Sequence, residues 1–593
     1  MIPMMKAIKH YITRIREGRL QELLSQWLWM GGYVRKYWLL IGFYTLIGVS
    51  GSLMGLGTSL LSRNLVDSVT GDSTVKILAS ALGYAGVGLF QMLISALRTR
   101  LSLRITMKVG NKIRSDIFAQ ILRTDWEPLS QFSSGDLLYR INGDTSVVVN
   151  NILTYLPNVA SILISFGGAF WVMMQNDPWM ALIALAGAPI SFLGTRFSMR
   201  KMREFQKKQM ELQSHKTVFN QEALQNMQMI KAFGLVEYFI QQYAEVQDQS
   251  LEYAMVQNTF QSKMTILTGL IGQLIGYACY GFAVFRLWQG QITYGTMTLF
   301  VSMASSLRGS FSGVLNLLPT AMRAGISAGR IMEVTQLPRE SQEDIQKGLE
   351  LLERSRKTGI QVEMQEVSVA YGEDKPVYTH ANLRACPGEI IGLIGPSGQG
   401  KTTTLRVLLG LYHPQSGKVT VSSPGGKAES VGAGTRCLFS YIPQGNTLFS
   451  GTIADNMRML RPEATDEEVV DALKTADAWE FVEKLDKGID TPVREGGNRF
   501  SEGQKQRLSI ARALLVHAPV ILLDEATSAL DMATERRVLH NILRRDPLQT
   551  ILVTAHRPSV LSMCNRVYKI QDGRFEEVND AEIQAFLQGD KTT

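Results

Sequence analysis

The first half of the chain alternates long apolar stretches with segments that carry most of its charge. A helix needs roughly 20 residues to cross a hydrocarbon core of about 30 Å. The pattern therefore predicts six membrane-spanning helices, and it disfavours the alternative of buried helices in a large soluble protein. The six stretches that contain no Asp, Glu, Lys or Arg are residues 37–62, 77–97, 145–176, 178–195, 264–285 and 287–307.

Basic residues between these stretches predict the orientation of the helices. Residues 98–144 carry eight Lys and Arg, residues 196–263 carry nine, and residues 1–36 carry seven, whereas residues 63–76 carry two. Loops rich in Lys and Arg remain on the cytoplasmic side of a membrane. We therefore expect both termini and both long loops to be cytoplasmic. Residues 18–30, which include two tryptophans, suit a helix lying against the membrane surface, with a plain soluble helix as the alternative.

The second half of the chain follows a different pattern. From Gly359 onward, short apolar runs at 390–394, 520–523 and 550–553 alternate with helical stretches. Such alternation predicts a mostly parallel sheet, and hence an α/β domain after the helical membrane domain. The expected organisation is an N-terminal tail with the interfacial helix (1–36), a six-helix membrane domain (37–330), a charged linker (331–357) and the α/β domain (358–593).

Composition narrows the possible classes of protein. The chain has 593 residues, of which 45% are hydrophobic and 19% charged, and it contains four cysteines. These values exclude a disordered protein and a disulfide scaffold, and the wide spacing of the cysteines disfavours a zinc site. The net charge of +8 is carried largely by the basic loops. Nucleic acid is therefore not an expected partner, whereas a lipid bilayer is.

A glycine-rich segment after the strand-like run 390–394 predicts a phosphate-binding loop. The sequence from Gly395 to Thr402 reads GPSGQGKT and opens a helical stretch. This is the Walker A pattern in its strand–loop–helix context, in which backbone N–H groups and the helix N-terminus face a polyphosphate. Lys401 can reach the β- and γ-phosphates, and Thr402 can hold Mg²⁺. The nucleotide-contacting residues expected here are Gly395, Ser397, Gly398, Gly400, Lys401, Thr402 and Thr403.

Two carboxylates end another apolar run. Residues 520–525 read VILLDE, so that Asp524 is predicted to bind Mg²⁺ and Glu525 to polarise an attacking water. Asp524 lies 123 residues after Lys401, which leaves room for an inserted helical subdomain. His556 follows the next run, where ligands bind in parallel sheets, and we expect it to contact the γ-phosphate and the water.

Further motifs make the chain resemble the ABC transporter family. Residues 500–504, FSEGQ, are similar to the family signature LSGGQ, and residues 528–531, SALD, are similar to its D-loop. Gln444 in YIPQ lies where the family has its Q-loop, and Tyr371 matches the aromatic residue that stacks on adenine. Six spans followed by one nucleotide-binding domain resemble a half-size ABC exporter over essentially the whole chain.

The resemblance implies an ATP- and Mg²⁺-dependent exporter that one chain cannot complete. Each ATP is held between the Walker A residues of one chain and the signature of a second chain, to which Ser501, Gly503, Gln504 and Asp531 belong. Gln444 is implied to contact Mg²⁺ and to take part in catalysis. The implied cargo is a hydrophobic or amphiphilic solute such as a drug, a lipid or a small peptide. A homodimer in a bacterial inner membrane is favoured, with a heterodimer or a nucleotide-gated channel or sensor as alternatives.

Two residues leave alternatives open. Glu502 stands where the family commonly has glycine, so it either weakens the nucleotide site by like-charge repulsion or points away from it. Arg308 interrupts an apolar region. It either contacts the cargo or extends its side chain to the inner membrane surface.

Overall fold

The computed structural model describes residues 19–70, 74–185, 187–341, 345–371, 376–445, 447–494, 497, 499–555 and 557–578. The chain divides into two compact units. The first unit comprises residues 1–124 and 129–337, and the second comprises residues 125–128 and 338–593. The predicted linker, residues 331–357, contains the end of one long helix and most of another helix.

The chain up to residue 337 is helical wherever it is described, apart from short connections. Its helices are α1 (Arg19–Lys36), α2 (Trp38–Thr70), α3 (Thr74–Leu122), α4 (Trp126–Leu129), α5 (Ser134–Tyr139), a π-helical turn (Arg140–Asp144), α6 (Thr145–Asn176), α7 (Pro178–Leu185), α8 (Gly187–Gln225), α9 (Met227–Ala232), α10 (Val236–Trp288) and α11 (Tyr294–Thr335).

The long helices match the predicted apolar stretches with one shift. The sixth stretch was expected to begin at residue 287, but α10 continues to Trp288 and α11 begins only at Tyr294. Gly290 in the turn between them has φ +69°, a conformation that suits glycine. By length and composition, four helical segments of the described chain could cross a membrane: Trp38–Thr70, Lys76–Leu122, Ser134–Asn176 and Val236–Trp288.

The first helix of the described chain packs through one face only. Met30 and Gln26 in α1 are buried, and the Trp27 ring lies 5.0 Å from the ring of Tyr155 in α6. Leu28, in contrast, is 67% exposed. This one-sided packing is what an amphipathic helix at a membrane surface requires.

A buried ion cluster ties the π-helical turn to α11. Arg140 Nε and Arg330 Nη2 each lie 2.6 Å from a carboxylate oxygen of Asp136. Arg330 Nε lies 3.2 Å from Asp144 Oδ2, and the hydroxyl of Ser327 donates to Asp144 Oδ1 at 2.8 Å. Asp144 has no solvent exposure. Because a buried charge is costly unless it is paired, these contacts fix how α6 and α11 pack together.

The second unit contains the predicted α/β arrangement. A six-stranded sheet with the order β12-β11-β3-β10-β9-β6 is parallel except for β12, and a four-stranded antiparallel sheet has the order β2-β1-β4-β5. The strands are β1 (Gln361–Ala370), β2 (Pro376–Ala385), β3 (Ile390–Ile394), β4 (Ser416–Ser422), β5 (Glu429–Ser430), β6 (Phe439–Ile442), β7 (Gly451–Thr452), β8 (Pro492–Val493), β9 (Val520–Asp524), β10 (Thr550–Thr554), β11 (Arg566–Gln571) and β12 (Arg574–Val578).

Helices of this unit surround the parallel sheet and build a separate helical part. They are α12 (Ile345–Thr358), α13 (Lys401–Leu408), α14 (Ile453–Arg458), α15 (Asp466–Thr475), α16 (Trp479–Glu483), α17 (Glu502–Leu515), α18 (Met532–Arg545) and α19 (Pro558–Leu561). Helices α14 to α17 share a core in which Ile453, Val469 and Leu508 are buried, and this confirms the predicted helical subdomain.

The ion cluster yields a prediction about the stability of the first unit. Replacing Asp144 with alanine removes the fully buried carboxylate of the cluster and leaves Arg330 paired with Asp136 alone. Breaking a buried ion pair in this way costs about 3–5 kcal/mol. We expect Asp144→Ala to lower the thermal unfolding midpoint of the helical signal strongly, as measured by circular dichroism of the full chain.

A member of the same cluster with an exposed side chain provides the control. Glu333 bonds to Arg140 at 2.9 Å, but its side chain is 61% exposed. Exposed ion pairs contribute about 1 kcal/mol or less. Glu333→Gln should therefore leave the midpoint nearly unchanged, and equal shifts in the two variants would contradict a role for burial.

Candidate functional site

The glycine-rich loop lies between the end of β3 and the start of α13, as the sequence predicts. Gly395, Gly398 and Gly400 have φ of 144°, 81° and 102°. A side chain at Gly400 would also meet Val377 Cγ1 at 2.7 Å. These positions require glycine, and the resulting loop can turn its backbone N–H groups toward an anion. Ser397 and Gly398 lie on its exposed part.

Lys401 begins α13 with its side chain folded over this loop. Its Nζ donates to the carbonyl oxygens of Gly395 at 2.6 Å and of Pro396 at 3.0 Å, and the residue is 6% exposed. Burial lowers the pKa of Lys401, while the charges of Glu525 and Asp524 act in the opposite direction. The ammonium group is thus held between a phosphate-binding loop and two carboxylates.

Asp524 ends β9 and is 1% exposed. Its Oδ1 accepts from the hydroxyls of Thr402 at 3.0 Å and Thr554 at 3.3 Å, and its Oδ2 accepts from the Tyr441 hydroxyl at 3.2 Å. Burial raises the pKa of Asp524, and the three hydroxyl donors oppose that rise. The carboxylate and the Thr402 hydroxyl are oxygen ligands of the kind that Mg²⁺ prefers, so the residues fit this ion.

Glu525 directly follows the end of β9 and has an unusual backbone conformation. Its φ is +50°, and its backbone N–H donates to the Thr554 hydroxyl at 2.7 Å. The side-chain amide of Gln444 donates to Glu525 Oε2 at 2.6 Å. Because non-glycine residues rarely adopt positive φ, the surrounding contacts must hold Glu525 in place. The two carboxylates therefore occupy one edge of the sheet with different partners.

Tyr371 follows β1, and its side chain contacts α13. Its hydroxyl lies 2.6 Å from the Thr403 hydroxyl, and its ring meets the Tyr412 ring edge to face at 5.0 Å. The residue is 38% exposed, which leaves part of the ring open to a stacking partner. Tyr371 and Thr403 are thus brought beside the phosphate-binding loop.

The signature residues open α17 in the helical part of the unit. The Ser501 hydroxyl accepts from the Gln504 backbone N–H at 3.3 Å, and the Gln504 side chain accepts from the Ser501 backbone N–H at 2.9 Å. This reciprocal pair is a capping box that starts the helix. Glu502 bonds to Lys505 in the same helix at 2.7 Å, with its own side chain 64% exposed.

The D-loop packs directly against the signature helix. A side chain at Gly503 would meet the Ala529 carbonyl oxygen at 3.0 Å. Gln506 donates to the Ser528 hydroxyl at 3.2 Å and accepts from the Ala529 backbone N–H at 3.0 Å. Asp531 caps α18 by accepting from the backbone N–H groups of Ala533 and Thr534. These hydrogen bonds lower the pKa of Asp531.

The site residues therefore form two groups. The first joins the glycine-rich loop with Asp524, Glu525 and Gln444, and the second joins the signature and Asp531. His556, which was expected near the γ-phosphate, lies outside the described residues. Its neighbour Arg557 donates to the carbonyl oxygens of Leu530 and Ser528, each at 2.6 Å.

Sequence reasoning missed four residues that hold these groups together. They are Tyr441, Thr554, Gln506 and Arg557. Thr554 had a signal, because a hydroxyl at the last position of a predicted parallel strand faces the ligand edge of the sheet. The hydrogen-bond partners of the other three lie 22 to 83 residues away in the chain, so no local pattern identifies them.

Comparison with known proteins agrees with this geometry. Residues 41–311 match the family model described as ABC transporter transmembrane region, and residues 378–528 match the model described as ABC transporter. The chain is 28% identical over 559 residues to the ATP-dependent lipid A-core flippase of Chromobacterium violaceum, with 92% of each chain covered.

A longer relative and a solved structure add to this comparison. The chain is 26% identical over 533 residues to the serine protease/ABC transporter B family protein tagA of Dictyostelium discoideum; the match covers 89% of this chain but only 30% of that protein. The structure of a bacterial Atm1-family ABC exporter with ATP bound has the same fold, with a TM-score of 0.81 at 21% identity. The match covers 94% of this chain and 99% of the chain in that structure.

A helical transmembrane region and a nucleotide-binding ATPase domain are thus fused in one chain. The matched regions include the long apolar helices and the glycine-rich loop, and the relatives include exporters. The chain is an integral membrane protein that belongs to the ABC transporter family, as a half-size exporter that couples ATP hydrolysis to export across a membrane.

Proposed function

We propose that two copies of this chain export a hydrophobic or amphiphilic solute, such as a drug, a lipid or a small peptide, by alternating access. The relative from Chromobacterium violaceum is named a lipid A-core flippase, and lipid A is an amphiphile. The observation that carries the proposal is the contact between Thr402 and Asp524 beside the Gln444–Glu525 pair. This arrangement supplies a place for the metal and for the attacking water at the end of a phosphate-binding loop.

The first group of residues is assigned to ATP and Mg²⁺. The backbone of the loop and Ser397 surround the phosphates, and Lys401 exchanges its carbonyl partners for β- and γ-phosphate oxygens. Tyr371 stacks on adenine, with Thr403 beside it. Thr402, Asp524 and Gln444 hold Mg²⁺. When bound, this ion neutralises charge that develops on the phosphates.

Glu525 is assigned to the attacking water. Its backbone is fixed through Thr554 and its carboxylate through Gln444, so its position does not depend on a single contact. A carboxylate held within reach of the γ-phosphate polarises water for in-line attack. His556 is assigned a contact with the γ-phosphate and the same water.

The second group is assigned to the nucleotide of the other subunit. Ser501, Gly503 and Gln504 would contact the γ-phosphate across a dimer interface, with Asp531 in the adjoining loop. The direct packing of Gly503 on Ala529 supports this assignment, because movement of the D-loop then moves the signature. Since the chain carries one copy of each motif and has its catalytic carboxylate, we propose a homodimer.

The location follows from the same reasoning. We propose that the chain lies in a bacterial inner membrane with both termini in the cytoplasm, because the basic loops favour that orientation. Residues 1–36 form the N-terminal tail, 37–330 the membrane domain, 331–357 the linker and 358–593 the nucleotide-binding domain.

Replacing Glu525 with glutamine provides the direct test. The amide keeps the size of the side chain and can still bond to Gln444, but it cannot polarise water as a carboxylate does. We expect ATP hydrolysis by the purified chain in lipid to fall by about 10²–10⁴-fold, the typical contribution of general base catalysis. ATP-bound dimers should persist and be detectable by cross-linking.

Glu480→Gln serves as the control, because this carboxylate lies in α16 outside the proposed site, pairs with Lys484 and has an exposed side chain. It should retain hydrolysis within a few-fold. Rapid hydrolysis by Glu525→Gln would refute the assigned role. Absence of hydrolysis in the folded wild-type chain would refute the self-sufficient homodimer.

Glu502 allows a second test, of the unusual signature. Its contact with Lys505 within α17 directs the carboxylate along its own helix. We therefore expect Glu502→Gly to change ATP hydrolysis by no more than about threefold, since the Glu502 carboxylate is exposed and a helical pair three residues apart contributes about 0.2–0.5 kcal/mol. A much larger increase in the hydrolysis rate would show that Glu502 weakens the site by charge repulsion.

A further inference from the structure

A cavity lies between α10 and α11 in the first unit. Its volume is about 440 Å³, within the range of small-molecule sites. Aromatic side chains and hydroxyl groups line it together with one charged group, the guanidinium of Arg308. The lining residues used below are Gly272, Gln273, Tyr277, Tyr280, Arg308 and Phe311.

Arg308 is held at the level of the cavity by its contacts with α10. Arg308 Nη1 donates to Gln273 Oε1 at 3.2 Å. Its aliphatic part crosses over Gly272, where an added Cβ would lie 2.9 Å from Arg308 Cδ. The side chain therefore runs sideways to the neighbouring helix and not along α11 toward the inner surface. This geometry favours a built polar site over simple extension to the membrane surface.

The depth of this contact can be estimated from both helices. Arg308 lies 14 residues after Tyr294, and Gln273 lies 15 residues before Trp288, so each is ~21–23 Å from the turn that joins α10 and α11. Trp288 is 81% exposed, as expected of an aromatic residue at a membrane interface. With that turn at one membrane interface, the Arg308–Gln273 pair falls within a hydrocarbon core of about 30 Å, ~7–9 Å from its opposite face.

The charge of Arg308 is not balanced by an acid in the part of the chain that the structure describes. Its hydrogen bond there is to the neutral amide of Gln273, and the lining of the cavity contains no carboxylate. The Arg308 side chain is also exposed in the isolated chain. Because a cation facing lipid at this depth is costly, this surface must face a polar cavity or an anionic ligand.

We infer that the cavity is a cargo site for an anionic amphiphile, with Arg308 binding a carboxylate or phosphate headgroup. The guanidinium offers further N–H donors in a planar arrangement that matches either anion. Tyr277, Tyr280 and Phe311 supply apolar surface for the rest of the ligand and lie in the same cavity. Gln273 orients the guanidinium, and Gly272 leaves room for it.

This inference rests on the proposed export function and narrows its cargo to anions. Its test is a binding measurement without ATP, so that it can fail separately. If the chain binds anions through Arg308 but neither hydrolyses ATP nor exports a solute, the proposed export function is refuted and the anion site is supported. If the chain exports solutes without preferring anions, the anion site is refuted and the proposed export function is supported.

The experiment uses the full chain in phosphatidylcholine nanodiscs and a palmitate probe that carries a diazirine. We expect light-induced labelling within residues 268–280 and 301–312, mapped by mass spectrometry. Oleate or oleyl phosphate should compete with the probe at concentrations about tenfold or more below those of oleyl alcohol and oleylamine, because only the anions form charge-assisted hydrogen bonds. Competition by one anion and not by the other identifies the headgroup as carboxylate or phosphate.

Variants at Arg308 test the residue itself. In Arg308→Gln, the concentration of anion needed to displace the probe should rise by about tenfold or more. Arg308→Lys should retain part of the preference for anions. Arg323→Gln also removes one positive charge from α11, but at a position outside the cavity. It should leave the concentration of anion needed to displace the probe unchanged.

Three outcomes would overturn the inference. They are labelling outside the cavity, equal competition by oleyl alcohol and the anions, and equal behaviour of Arg308→Gln and Arg323→Gln. If Arg308→Gln does not fold, the wild-type competition series and Arg308→Lys still decide between the outcomes.

Discussion

The buried carboxylate of Asp524 is the contact on which the nucleotide site depends. It accepts hydroxyls from α13, β6 and β10, and so joins the glycine-rich loop to two neighbouring strands. A charge with 1% exposure is stable only when such donors surround it. The same requirement that stabilises Asp524 therefore sets the positions of Thr402, Tyr441 and Thr554. Because Glu525 follows Asp524 directly in the chain, these contacts also restrict its position.

Pairing of buried charge also organises the helical unit, but with two different results. Asp144 forms an ion pair with Arg330 and accepts a hydrogen bond from Ser327, so its cluster fixes the packing of α6 against α11. Arg308 has a neutral partner in the described chain and is exposed, so its charge is available to a ligand. Each arrangement must lower the cost of a charge away from water, the Asp144 cluster by internal contacts and Arg308 by an external partner.

The two groups of site residues support the proposal that each ATP is held between two chains. One group surrounds Lys401, while the signature residues satisfy each other through the capping box that begins α17. Gln506 and Arg557 hold the D-loop against the signature helix and against the end of β10. Movement at the hydrolytic edge of the sheet can in this way reach the surface that we propose to face the other subunit.

The sequence by itself determined the features that depend on neighbouring residues. The strand–loop–helix around Lys401, the carboxylates that end β9 and the long apolar helices follow from local patterns, because hydrophobic periodicity and glycine placement are properties of adjacent positions. Only the tertiary structure decided which hydroxyls hold Asp524 and that Arg308 turns toward Gln273. Those contacts depend on side-chain direction and mostly join residues far apart in the chain, and no local pattern encodes them.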